Sequence, residues 1–184
     1  RRTPGRFLLL GSASPLLLRQ SGESLAGRIA HVELTPFRIS EVGAKRLSQL
    51  WLRGGFPDSL LAPSTKVSCR WREEFIRTFL ERDIPQLGFR VPAEALHRLW
   101  QMLAHHHGQL LNRSQLGQSL GVTPATIGHH LDMLSQTYMV RSLPPLLPNL
   151  KKRLVKSPKV YLRDSGILHT LLGLETESDL RGHP

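Results

Sequence analysis

Apolar positions near the start of the chain follow two different patterns. Residues 6 to 10 (RFLLL) form a short continuous apolar run that stops at Gly11, as in a strand buried on both faces. A helical turn is expected next, since Ser14 can cap it and Pro15 suits a first helical position that needs no N–H. In residues 28 to 34 (RIAHVEL), Ile29, His31 and Glu33 alternate with Ala30, Val32 and Leu34, as in a strand with one buried face. Strand, helix, strand belongs to an α/β sheet, and two strands are too few to complete one.

From residue 40 onward the pattern turns helical, interrupted by Gly54-Gly55-Phe56-Pro57 and by Ala62-Pro63-Ser64. Over residues 65 to 83, Trp71, Phe75 and Phe79 recur every fourth residue with Ile76 and Leu80 beside them, predicting one apolar stripe on a long helix that Pro85 ends. Leu96, Leu99, Trp100 and Leu103 predict a second buried stripe on a helix opening after Pro92.

The most specific local pattern lies in residues 112 to 135 (NRSQLGQSLGVTPATIGHHLDMLS). Leu116 and Leu120 make the apolar face of a short helix, and Gly121 can take the positive φ of its C-cap. Thr123 can cap the next helix, Pro124 suits its first position, and Ile127, Leu131 and Leu134 form its buried face. Two helices across so short a turn predict a helix-turn-helix, whose second helix enters the DNA major groove. Its exposed face is expected to show Ala125, Thr126, His129, His130 and Met133. The β-like runs 138 to 143 (YMVRSL) and 159 to 163 (KVYLR) then predict a wing, with Lys151, Lys152, Arg153 and Lys156 between them. These cations, Arg113, and the Thr126, His129 and His130 face are the DNA-binding candidates. Arg113 and the wing are the stronger phosphate candidates, because the second helix has no Lys or Arg and carries Asp132.

Composition supports a polyanion partner without identifying it. The formal net charge is +11, from 25 Lys and Arg against 14 Asp and Glu, while 40% of residues are apolar, enough for a folded core. Duplex DNA fits this charge; so does an acidic protein partner or a further segment of the same protein. The single cysteine, Cys69, excludes a disulfide scaffold or a thiolate zinc site within one chain and points to a reducing, cytoplasmic setting. The apolar runs are too short to span a membrane, and Arg1 and Arg2 precede too short an apolar patch for a signal peptide. The chain begins without Met and reads as a fragment of a longer protein.

Seven stretches in order resemble one family: FLLLGSASPLLL (7 to 18), ESLAGRI (23 to 29), LTPFRISE (34 to 41), GGFP (54 to 57), FLERDIP (79 to 85), GQLLNRSQLGQSLGVTPATIGHHLDML (108 to 134) and LVKSPKVYLRDSGILHTLLGL (154 to 174). They are similar to prokaryotic AAA-type P-loop ATPases with an uncharacterised, nuclease-like C-terminal domain. The resemblance implies a mainly α fold with some β: residues 1–44 the end of an α/β ATPase core, 45–107 a helical lid, 108–163 a winged helix-turn-helix, and 164–184 the start of a truncated C-terminal domain. It implies a γ-phosphate sensor at Ser12, an arginine finger or sensor at Arg28, and ATP with Mg²⁺ as ligands of the intact protein. No GxxxxGK[ST] occurs, nor an apolar strand ending in an acidic Mg²⁺ ligand, so this fragment is expected to hold no cofactor and not to hydrolyse ATP alone.

Other chemistry has little support. Adjacent residues point in different directions on a helix, so His105, His106 and His107 do not converge on a metal, and no metal site is expected. Glu73, Glu74, Glu81 and Asp83 lie among Arg70, Arg72, Arg77 and Arg82, a pattern of solvated ion pairs. No motif for nucleophilic catalysis is present.

Overall fold

The computed structural model describes Leu8, Ala30, residues 32–146 and residues 157–183. Ten α-helical segments and two strands are placed among them. The fold is mainly helical with one small two-stranded sheet.

The expected strand around residues 28 to 34 is corrected over its described part, Ala30 and residues 32 to 34, while residues 28, 29 and 31 lie outside the described residues. Val32 and Leu34 are 91% and 96% exposed and lie in irregular backbone. A strand needs a neighbour to pair its backbone groups, and none is present beside these residues among the described ones. The backbone joins the fold at Phe37, whose N–H donates to the Gly55 carbonyl at 2.8 Å.

Helices α1 (Ile39–Val42), α2 (Leu47–Arg53) and α3 (Pro57–Leu60) lead into the long helix α4 (Thr65–Thr78), where the Ser64 side chain accepts from the Val67 N–H. The expected aromatic stripe is present: Trp71 and Phe75 stack at 5.3 Å between ring centroids, Phe75 and Phe79 at 6.0 Å, and Phe79 meets Trp100 at 5.5 Å. Pro85 does not end the helix as expected. The chain passes through a π-helical turn, Phe79–Asp83, into α5 (Ile84–Gln86), with the Ile84 N–H donating to the Phe79 carbonyl five residues back. In regular α geometry the Pro85 ring would meet the Glu81 carbonyl; the wider turn relieves that clash. Gly88, at φ +87, follows the end of α5.

Helix α6 (Ala93–His105) buries Leu96, Leu99, Trp100 and Leu103 completely. Residues 108 to 111 then run along the strand pair β1 (Val140–Leu143) and β2 (Lys159–Leu162). Gly108 N–H donates to the Val160 carbonyl at 2.7 Å, Leu111 N–H to the Pro158 carbonyl at 2.8 Å, and Leu110 bridges Lys159. The strands are antiparallel, with Val140 opposite Leu162 and Leu143 opposite Lys159.

Helices α7 (Arg113–Leu120) and α8 (Pro124–Gln136) lie between that segment and β1. Their boundaries follow from local chemistry: Asn112 accepts from the Gln115 N–H, Gly121 closes α7 at φ +68, and Thr123 accepts from the Thr126 N–H with Pro124 at the first helical position. Helix α9 (Ser165–Leu171) returns to pack on α2 and α4, and α10 (Glu177–Gly182) follows with Thr176 and Asp179 as a capping box. A single core joins Ile76 and Phe79, through Leu99, Ile127 and Leu134, to Val160 and Leu171. Residues expected to open a further domain therefore share the core of the helices before them.

Candidate nucleic-acid interface

Helix α8 buries a wider face than its leucine spacing implied. Ile127, Leu131 and Leu134 are buried as expected, but His130 is 8% exposed and Met133 1%. Both were expected on the open face, and this is corrected. His130 and Met133 follow Ile127 at steps of three, which places them on the core side of the helix. The face left open carries Ala125, His129 and Asp132, with Thr126 half-buried at its edge.

The histidines differ accordingly. His129 is exposed and meets the edge of Phe89 at 6.4 Å, while the His129 and His130 rings lie 6.3 Å apart. Burial, and then the charge His129 can carry, hold the pKa of His130 below its ordinary value. His130 thus stands as a neutral core side chain, and Thr126 is occupied with Thr123, their hydroxyl oxygens 2.9 Å apart.

Arg113 reaches this face from the first turn of α7. A Cβ built on Gly128 would lie 3.1 Å from its Nη1, so the guanidinium rests over α8 where that helix has no side chain. Arg113 is exposed and has no hydrogen-bond or ion-pair partner among the described residues.

Two further cations lie on the strand pair. Arg141 sits opposite Tyr161 and Lys159 opposite Leu143, on the face that the exposed pattern of β1 turns to solvent. Neither side chain is paired among the described residues. The sequence reading passed over both, although period-two alternation inside YMVRSL and KVYLR places them outward. Arg163, by contrast, is engaged: it pairs with Glu33 and lies 5.3 Å from the centre of the Tyr138 ring. Ser12, Arg28, Lys151, Lys152, Arg153 and Lys156 lie outside the described residues.

A separate cleft of about 470 Å³ opens between α4, the π turn, α6 and α9, with Leu80 and Leu171 in its wall and Glu73, Glu81, Glu94 and His97 around it. No group of His, Cys, Asp and Glu able to hold a metal occurs among the described residues. Glu74 pairs with Arg77, and Asp83 with Arg82 at 2.9 Å, as solvated ion pairs. The polar centre of the fold is Arg72, which is 1% exposed and donates to Ser68 Oγ at 2.6 Å and Thr170 Oγ1 at 2.7 Å. These contacts bind α4 to α9 and leave the guanidinium no access to a ligand.

The comparisons with known proteins fit a shared fold of unassigned role. Residues 44–178 match the model of a domain of unknown function, DUF8612. The chain is 48% identical over 181 residues, 98% of its length, to the uncharacterized proteins Rv2008c of Mycobacterium tuberculosis and Mb2031c of Mycobacterium bovis. It spans 41% of the length of each. No solved structure matches it.

Proposed function

The chain belongs to the DUF8612 family, and we propose that residues 93 to 162 form a winged helix that binds duplex DNA. The order helix α6, a bridging segment at Leu110, helices α7 and α8, then β1 and β2 supports this reading, as does the Gly121-Val122-Thr123 turn between α7 and α8. The observation that carries it is a set of cations, Arg113, Arg141 and Lys159, that have no partner among the described residues and lie beside the exposed α8 face of Ala125, His129 and Asp132. Phosphates neutralised by such cations release counterions, so affinity falls steeply with salt. Lys151, Lys152, Arg153 and Lys156 add four further cations in the sequence between β1 and β2.

A duplex titration over a salt series tests this. Binding at low salt should weaken as salt rises, and Arg141→Ala or Lys159→Ala should each lower the slope by about one. No binding at low salt, or slopes unchanged by both substitutions, overturns the reading.

The winged helix is part of a longer polypeptide with an ATP-binding core. The sequence likeness to AAA-type ATPases supports the ATP-binding core, and the greater length of the relatives supports a longer polypeptide. In it Ser12 and Arg28 act on the phosphates of ATP with Mg²⁺, which a P-loop outside these residues would hold. ATP turnover by the complete polypeptide, lowered by Arg28→Ala, is the expected result.

A second reading, docking of another protein segment, is favoured by one observation. Ile39, Leu47 and Trp51 are 50%, 48% and 43% exposed on α1 and α2. If it is right, Trp51→Ala weakens assembly with the rest of the longer polypeptide and leaves DNA binding unchanged. Among the described residues no helix is long and apolar enough to cross a membrane.

A further inference from the structure

We propose that the cleft between α4, the π turn, α6 and α9 binds an aliphatic polyamine, a chain of methylenes carrying several ammonium groups. Its volume of about 470 Å³ lies within the range of small-molecule sites, about 300–1,000 Å³. Ile76, Leu80 and Leu171 give it an apolar wall. Glu73, Glu81 and Glu94 bring carboxylates to it from three separate elements, α4, the π turn and α6. A π turn such as the one that carries Glu81 is uncommon in proteins and concentrates at functional sites.

The charge of this cleft runs against that of the chain. The whole sequence carries +11, yet among the described residues Arg77 is the one Lys or Arg in the lining, and it pairs with Glu74 on its own helix. Glu73 and Glu81 form no ion pair among the described residues. Glu94 meets Arg98 at 3.5 Å, with both side chains largely in solvent. The cleft therefore attracts a cation and repels a phosphate, which separates it from the DNA-binding face and from the phosphates of ATP.

Three features narrow the cation. No group of His, Cys, Asp and Glu among the described residues is placed to hold a metal, so the carboxylates suit charges that are spaced apart rather than one central ion. The apolar wall suits a ligand whose charges are separated by carbon, since methylene stems lie along apolar surface while their ammonium ends reach acceptors. The lining residues all belong to helical segments, which offer no strand edge to the amides of a peptide. An amine needs acceptors alone, and the carboxylates supply them.

The test is a titration of the isotope-labelled 184-residue chain with spermidine, without DNA, followed through its backbone amide chemical shifts. The shifts should be confined to α4, the π turn, α6 and α9. Glu73→Gln and Glu81→Gln, both at exposed positions, should each weaken binding by about 2- to 5-fold. Glu177→Gln, on α10 and outside the cleft, should leave it unchanged. Hexaamminecobalt(III) and trilysine carry the same net charge as spermidine, the first with no methylene chain and the second on an amide backbone. Both should bind these residues more weakly. Spermidine shifts that are absent, spread over the whole surface or insensitive to both glutamine substitutions overturn the proposal. Equal binding of hexaamminecobalt(III) overturns it too, reducing the cleft to surface charge, and tighter binding of trilysine assigns the cleft to a protein segment instead. None of these outcomes touches the DNA-binding reading, which rests on other residues.

Discussion

Asp164 accepts a hydrogen bond from the backbone N–H of Gly55 at 2.7 Å, joining residues 109 apart in the chain. Its other oxygen caps α9 by accepting from the Ile167 N–H at 2.9 Å. One carboxylate therefore sets both the start of α9 and the Gly54-Gly55 turn against which that helix packs. Gly54, at φ +79, lies so close that a Cβ would fall 2.2 Å from Asp164 Oδ1. Burial pushes the Asp164 carboxyl above its ordinary pKa, opposed by the N–H groups it accepts from and by Arg72.

Replacing Asp164 by Ala removes the cap and leaves the buried Gly55 N–H without its partner, at a cost of about 2–4 kcal/mol. Asn keeps one acceptor but turns an amide N–H₂ toward one of the two donors, so it should recover only part of that loss. Urea unfolding midpoints order the proteins as native, then Asp164→Asn, then Asp164→Ala. An asparagine variant as stable as the native chain would show that the second hydrogen bond contributes nothing.

Acid should weaken the fold through its histidines. His107 Nδ1 accepts from the Leu162 N–H at 3.1 Å, which requires the neutral ring. Burial lowers the pKa of His107, and burial also dominates the lowering at His130 and His169. A histidine whose folded pKa lies below 6.5 binds its proton more readily in the unfolded chain. Its stabilisation is full above pH 6.5 and is lost as pH falls toward the folded value. Asp164 has the opposite sign, gaining stability as pH falls from its raised pKa toward 3.8. The melting temperature should thus drop between pH 7 and pH 5. His107→Asn, which presents a non-titrating acceptor near the Nδ1 position, should flatten that drop; an unchanged profile would remove His107 from the account.

Sequence alone revealed the features that depend on local chemistry. Asn112, Gly121, Thr123 and Pro124 mark the ends of α7 and α8 because caps act within one turn. The stripes of α4 and α6 were legible from spacing for the same reason. The burial of His130 and Met133 was less so: their steps of three from Ile127 put them beside the leucine face, but how far round a helix is covered depends on what packs against it. The π turn before Pro85, where the helix has two ways of accommodating a proline, was not legible. The Asp164 link to Gly55 joins distant residues, and nothing in the spacing of either marks the other.

The contact between α9 and α2 leaves no room for growth. A Cβ on Gly166 would lie 2.2 Å from the Arg53 carbonyl oxygen and 2.9 Å from Arg72 Cδ. Gly166→Ala must push the helices apart and disturb the buried Arg72 contacts, costing about 1–3 kcal/mol or more. Gly121→Ala acts differently: nothing crowds its Cβ, and the cost, about 1–2 kcal/mol, comes from the left-handed backbone at φ +68. Hydrogen exchange separates the two. Gly166→Ala should lower protection across α2, α4 and α9, whereas Gly121→Ala should lower it first in α7 and the start of α8. Equal loss everywhere from Gly121→Ala would mean that the turn and the remaining core unfold together.

Trp100 offers a substitution with a small expected cost at a fully buried position. Its ring fills the core against Phe79, yet Nε1 is buried with no hydrogen-bond partner among the described residues. An unpaired buried donor costs about 1–3 kcal/mol. Phe removes that donor and keeps one aromatic ring, so the relief offsets much of the lost volume and Trp100→Phe should fall within about 1.5 kcal/mol of the native chain. Ala removes the ring altogether and should cost about 3–5 kcal/mol. The comparison is made by urea unfolding of both variants with matched slopes, which excludes a change in the unfolded state. If Trp100→Phe costs as much as Trp100→Ala, the Nε1 donor is satisfied in solution and the indole is held by a hydrogen bond as well as by packing.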